Sequence, residues 1–144
     1  MARYAVELPG AAISYDPDWL GSEAASALFE ALRAALPWER HRITVYGRSL
    51  EAPRLSCWIG DAAYTYSGTR FEPHPWPVAL ASVRERLEDE LHADFNSVLA
   101  NLYRDGNDRL GFHRDSEPEL GPEPLIASIS LGATRRFRLR EREG

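Results

Sequence analysis

Six short, mostly β-prone segments, separated by Gly, Pro or Asp, constrain this chain more than any other feature. They span residues 42–46, 54–59, 64–66, 96–103, 126–131 and 136–139. Segments so short and so punctuated read as strands. Two helical stripes accompany them. In the first, Ser22 is the expected N-cap, Glu23 suits the first turn, and Leu28, Leu32, Ala35 and Leu36 recur at helical spacing until Pro37. The second follows Pro73, Pro75 and Pro77, with Leu80, Val83, Leu87 and Leu91 on one face and acids on the other. Helices early and strands late suit a sheet-based α+β domain better than alternating βαβ units.

A length of 144 residues accommodates one core and predicts a single domain over 1–144. No apolar run approaches the roughly 18 residues a spanning helix needs, and the first residues carry no apolar stretch of signal-peptide length. A cytoplasmic protein without membrane contact is therefore expected; a monomer, nucleoid-associated in a bacterial cell, is a separate expectation. The lone Cys57 has no Cys or His at zinc-ligand spacing and reads as a small core residue.

The net charge of −5 conceals a segregated pattern. Residues 40–54 and 135–144 each carry +3, whereas residues 85–94 carry −4. Basic patches on an acidic body leave a polyanionic partner open. An acidic helix face is ordinarily solvated surface.

The chemistry concentrates in residues 101–115. His113 and Asp115, two apart in extended chain, project to one side, where an imidazole nitrogen and a carboxylate oxygen can reach one cation. With a second His from elsewhere, that is the facial triad of non-haem Fe(II) oxygenases. Chance alone supplies such a pair in roughly one in five sequences of this composition. An ordinary His–carboxylate pair is the competing reading.

The surroundings shift that balance. Asn101, Tyr103, Asp105, Gly106, Asp108, Leu110, Gly111, His113 and Asp115, followed by Pro124, Ile126, Ala127, Ser128, Ser130 and Gly132, stand in an ordered pattern. It resembles the AlkB-type family of Fe(II)- and 2-oxoglutarate-dependent nucleic-acid dealkylases. Upstream, residues 60–68 look like that family's substrate-lid segment. Val45-Tyr46-Gly47, with Pro53-Arg54 after it, looks like the duplex-probing finger of the branch that repairs double-stranded DNA.

The resemblance implies a double-stranded β-helix, or jelly-roll core, with the N-terminal helices packed on the sheet. Fe(II), 2-oxoglutarate and O2 are the implied cofactor and co-substrates. It makes His113 and Asp115 the catalytic metal ligands and Asn101 and Tyr103 the 2-oxoglutarate contacts. Tyr66 would stack on a flipped base, with Tyr64, Ser67 and Glu117 near it, while Val45, Tyr46, Gly47 and Arg54 would meet DNA. An alkylated Watson–Crick edge already weakens pairing and lowers the cost of flipping. Aromatic planes then replace the lost stacking, and a wedge such as Tyr46 fills the gap. For each tyrosine, half-buried packing with a wet hydroxyl is the alternative.

The implied reaction is oxidative dealkylation of 1-methyladenine- or 3-methylcytosine-type lesions in DNA, with RNA as a further possible substrate. The family pattern also calls for a second iron-binding His and carboxylate-gripping Arg residues downstream. No His follows His113, so the expectation is a jelly roll incomplete at its C-terminal end. Two alternatives stay open: a catalytically inactive nucleic-acid-binding fragment, and a hydroxylase of proteins or small molecules.

Overall fold

The computed structural model describes residues 3–66, 69–111, 113 and 124–140. The chain divides into two compact units, Met1–Ala31 with Ile129–Gly144, and Leu32–Ser128.

In the first unit, β1 (Tyr4–Val6) and β2 (Ile13–Tyr15) form an antiparallel hairpin that sets Tyr4 edge-on to Tyr15, ring centroids 5.6 Å apart. α1 (Ser22–Ala35) begins in this unit. Ala25 N–H donates to the Gly21 carbonyl, so Gly21 takes the cap position expected of Ser22 and Ser22 is already helical. Gly132 lies against Phe29 of α1 at a φ of +84°, and a Cβ there would sit 2.9 Å from the ring. Beside that contact is a shallow cavity of about 340 Å³, lined by Ser22, Ala25, Ser26, Phe29, Glu30 and Gly132.

The second unit holds the remaining elements. β3 (Arg42–Val45) and β4 (Arg48–Glu51) form a hairpin; β5 (Leu55–Gly60) is followed by a second hairpin, β6 (Tyr64–Tyr66) with β7 (Thr69–Phe71). After α2 (Val78–Leu91), β8 (Ser97–Leu102) returns to pair antiparallel with β5, from Leu55 opposite Leu102 to Gly60 opposite Ser97. The other edge of β5 is also occupied. Glu39 exchanges two backbone hydrogen bonds with Ser56, and His74 donates to the Trp58 carbonyl and accepts from Gly60. A strand bonded along both edges needs no polar face, and Ser56, Cys57, Trp58 and Ile59 are all buried. Trp58, Phe71 and Leu99 pack together beside it.

Gly60 closes the ladder because a Cβ there would lie 2.7 Å from Ser97 Cβ. α2 starts behind Pro77, buries Leu80 and Val83, and carries the ion pairs Arg84–Glu88 and Arg86–Glu90. It ends at Leu91. His92, which reads in sequence as a helix residue, is instead a left-handed C-cap at φ 51°, with a backbone N–H of the cap bonded to Glu88 O.

The α+β expectation is met by the two helices and eight strands found among the described residues. Among the described residues the strands make four two-stranded ladders, and no closed roll is seen. Residues 126–131 and 136–139, expected as strands, pair with no described segment. β-propensity becomes a strand only where a partner ladder satisfies the backbone, and here Ile126, Phe137 and Leu139 stay exposed. No described helix is long and apolar enough to cross a membrane.

Candidate functional site

Side chains alternate along β8, so Leu99 and Asn101 share one face, and Tyr103, just past the strand, continues it. Asn101 stands opposite Ser56 in the ladder. The Ser56 hydroxyl is engaged by His41 Nδ1 at 2.7 Å, and the buried Asn101 Oδ1 finds no partner among the described residues. A buried amide oxygen without a bond is an acceptor that only a donor group can satisfy.

Between Asn101 and His113 the chain turns through a loop tied down from within. Asn107 N–H donates to Asp105 Oδ1 at 2.8 Å, an Asx turn, and Asp108 N–H donates to the Asp105 carbonyl. Buried Asp108 takes the Arg104 backbone N–H at 2.9 Å and its guanidinium through two further bonds. Hydrogen bonding to Asp108, the largest cause, raises the Arg104 pKa further. The loop is then stitched to the corner before β5, where Arg109 N–H donates to the Pro53 carbonyl at 2.7 Å and Arg54 donates to the Arg109 carbonyl.

Beyond the loop, His113 is exposed and its Nδ1 lies 2.9 Å from the Gly111 carbonyl. Only an N–H can satisfy that contact, so the neutral ring carries its proton on Nδ1 and its lone pair on Nε2. This is the usual second contact of a metal-binding imidazole. Asp115 and Glu117 lie outside the described residues, as does Ser67. Among the described residues no group of three His, Cys, Asp or Glu gathers as a metal site.

The β3–β4 hairpin projects Tyr46, which is 100% exposed, at its tip. Tyr46 and Gly47 have φ of 51° and 74°, the positive pair a two-residue type I′ turn requires. Glycine adopts this freely; a tyrosine there is strained by about 1–2 kcal/mol. Val45 is half-buried behind the tip. Arg42 braces the hairpin across its width, with Nε to Ser49 Oγ and Nη2 to the Ser49 carbonyl, both 3.0 Å.

Arg54, expected on the DNA-facing surface with this finger, is directed inward and only 6% exposed. A guanidinium so buried braces the loop that leads to His113. Tyr64 and Tyr66 occupy the two ends of β6, with Tyr66 opposite Thr69.

Sequence reading missed one cluster altogether. The Glu39 carboxylate lies 3.2 Å from His41 Nε2 and 2.7 Å from His74 Nε2. His41 is buried, with its ring 4.0 Å from that of Phe71. Burial pulls its pKa below the usual imidazole value, with Arg54 adding to the effect and Glu39 opposing it. The three residues are separated by up to 35 positions, and no local spacing announces them.

A family model described as the 2OG-Fe(II) oxygenase superfamily matches residues 12–144. The bovine alpha-ketoglutarate-dependent dioxygenase alkB homolog 3 is 38% identical over 127 residues, 88% of this chain and 44% of that protein. The mouse DNA oxidative demethylase ALKBH2 is 42% identical over 104 residues, covering 71% and 44%. The Arabidopsis thaliana protein of the same name is 32% identical over 140 residues, covering 93% and 45%. The chain thus spans less than half the length of these relatives.

Proposed function

The chain belongs to the 2OG-Fe(II) oxygenase superfamily, in its AlkB-type branch, and on that premise we propose that it serves oxidative dealkylation of N-alkylated bases in nucleic acid. The observation that carries the reading is the His113 ring, whose Nδ1 meets the Gly111 carbonyl, so that the neutral ring has its lone pair on Nε2, the arrangement of a metal-binding imidazole. His113 and Asp115 would hold Fe(II). Asn101, through its side-chain N–H, and Tyr103, through its hydroxyl, would donate hydrogen bonds to 2-oxoglutarate. When bound, Fe(II), 2-oxoglutarate and O2 supply the oxidation of the N-alkyl carbon, after which the carbon–nitrogen bond breaks and the base is restored.

The protein's part is geometric. The loop from Arg104 to Arg109, pinned to Pro53 and Arg54, fixes where His113 begins. The jelly roll is the fold in which we place β5 and β8. We assign the substrate as double-stranded DNA with a flipped base. The tip residue Tyr46 would fill the vacated stack, and the β6 segment, with Tyr64, Tyr66 and Ser67, would receive the base together with Glu117. The strained, fully exposed aromatic tip supports the duplex assignment.

The test is to incubate the chain with Fe(II), 2-oxoglutarate and a duplex oligonucleotide bearing 1-methyladenine or 3-methylcytosine, and to read the repaired base by mass spectrometry. Repair that disappears in His113→Ala is the expected result. Matched single-stranded DNA and RNA oligonucleotides set the substrate range. Salt-sensitive duplex binding without repair would make the chain a binding module instead.

A further inference from the structure

The two hairpins of the second unit are joined by three contacts, none of them part of a strand ladder. The Glu39 carboxylate spans His41, one residue before β3, and His74, three residues after β7. The His41 ring packs on Phe71 of β7. Thr69 of β7 donates its hydroxyl hydrogen to the Arg42 carbonyl at the start of β3.

The frame beneath these contacts is rigid. Glu39 and His74 are both hydrogen-bonded through their backbones to β5, at Ser56 and at Trp58 with Gly60. Residues two apart on a strand direct their backbone groups to one edge, so the carboxylate and both imidazoles meet along a single edge of β5. With neutral imidazoles, His41 Nε2–H and His74 Nε2–H donate to separate Glu39 oxygens, and His41 Nδ1 accepts the Ser56 O–H. Both carboxylate oxygens and both nitrogens of His41 are then used, and each bond to the carboxylate is charge-assisted.

We infer that Glu39 is a positioning residue that locks the Tyr46 hairpin and the β6–β7 hairpin into one mutual orientation, so that entry of the tip into a duplex and capture of the displaced base are one motion. The inference rests on the reading of Tyr46 as the duplex probe and of β6 as part of the base pocket. Among the described residues, Glu39 and His74 bond each other, His41 and β5, and not Asn101, Tyr103 or His113.

Two measurements test it. In hydrogen exchange, Glu39→Ala should speed the amides of both hairpins together by about tenfold while the β5–β8 ladder keeps its protection. His74→Ala removes one arm only, and it should still loosen the β3–β4 hairpin about thirty positions away in the chain. Acceleration confined to the hairpin nearest each substitution, or to neither, overturns the inference. If Glu39→Ala loosens the whole unit, the His74→Ala result decides.

In the second measurement, Glu39→Ala should weaken binding to a 1-methyladenine duplex about tenfold and leave binding to the same single strand within about twofold. Combined with Tyr46→Ala, it should add little further loss, as for coupled positions. Equal losses on duplex and single strand overturn the coupling. A wild-type chain that binds neither oligonucleotide sinks the proposed function, and hydrogen exchange still decides whether Glu39 couples the hairpins.

Discussion

Arg104 and Asp108 form a two-pronged pair across one turn of the loop before His113, with Nε 2.7 Å from Oδ2 and Nη2 3.1 Å from Oδ1. The partners are unequal: Asp108 is buried, whereas Arg104 is exposed. Removing the cation strands a buried carboxylate; removing the acid releases a guanidinium to water. Arg104→Ala should therefore lower the urea midpoint more than Asp108→Ala, and the double variant should recover part of the loss. Equal effects of the two single changes would contradict this account.

His41 makes stability depend on pH. Its folded pKa lies below the ordinary 6.5 because burial disfavours the charged ring. Below that ordinary value the unfolded chain takes up a proton that the folded chain resists, so stability is full above pH 6.5 and declines as pH falls towards the folded pKa. Urea midpoints measured between pH 8 and pH 5 should show this decline, and His41→Asn should flatten it.

Cys57 is wholly buried, and burial together with the Glu39 charge raises its pKa to about 11. At pH 8 only about one thiol in a thousand is then the reactive thiolate. Labelling by a disulfide reagent should wait for unfolding, with a rate that rises with urea. Rapid labelling of the native chain would contradict the buried placement.

Tyr46 occupies a conformation in which asparagine is at ease. Tyr46→Asn should raise stability by about 1 kcal/mol while weakening binding to a damaged duplex. Thermal unfolding and fluorescence anisotropy on one sample would show the two effects in opposite directions.

Gly132 is held by backbone conformation and by Phe29 together. Gly132→Ala should destabilise by about 1–3 kcal/mol through strain and overpacking, and Phe29→Leu in the same chain should relieve part of it.

What was legible in the sequence was local. α2 follows from the prolines before it and its apolar stripe, and β3, β5, β6 and β8 follow from β-prone runs. β4 was not legible, because Arg48 to Glu51 are exposed at all four positions and show no alternation. The turn at Tyr46 and Gly47 makes that segment a strand by bringing it beside β3. β1, β2 and β7 were not read as strands; each is completed by the hairpin partner beside it. The opposite error at 126–131 and 136–139 has the same root, since propensity carries no knowledge of whether a partner strand lies alongside. Near the site, Asn101 and His113 stand in one continuous motif. Spacing alone could not turn Arg54 inward or bring Glu39 to His74.

The position of β5 also bears on how the chain is made. Its backbone is completed on one edge by Glu39, which precedes it, and by His74, which follows soon after. The other edge waits for β8, whose residues lie 37 to 47 positions downstream of their partners. During synthesis the most buried strand of the molecule is thus exposed along one edge until residue 102 has left the ribosome. Ser56 to Ile59 are then the stretch on which a chaperone, or another nascent copy, would act first.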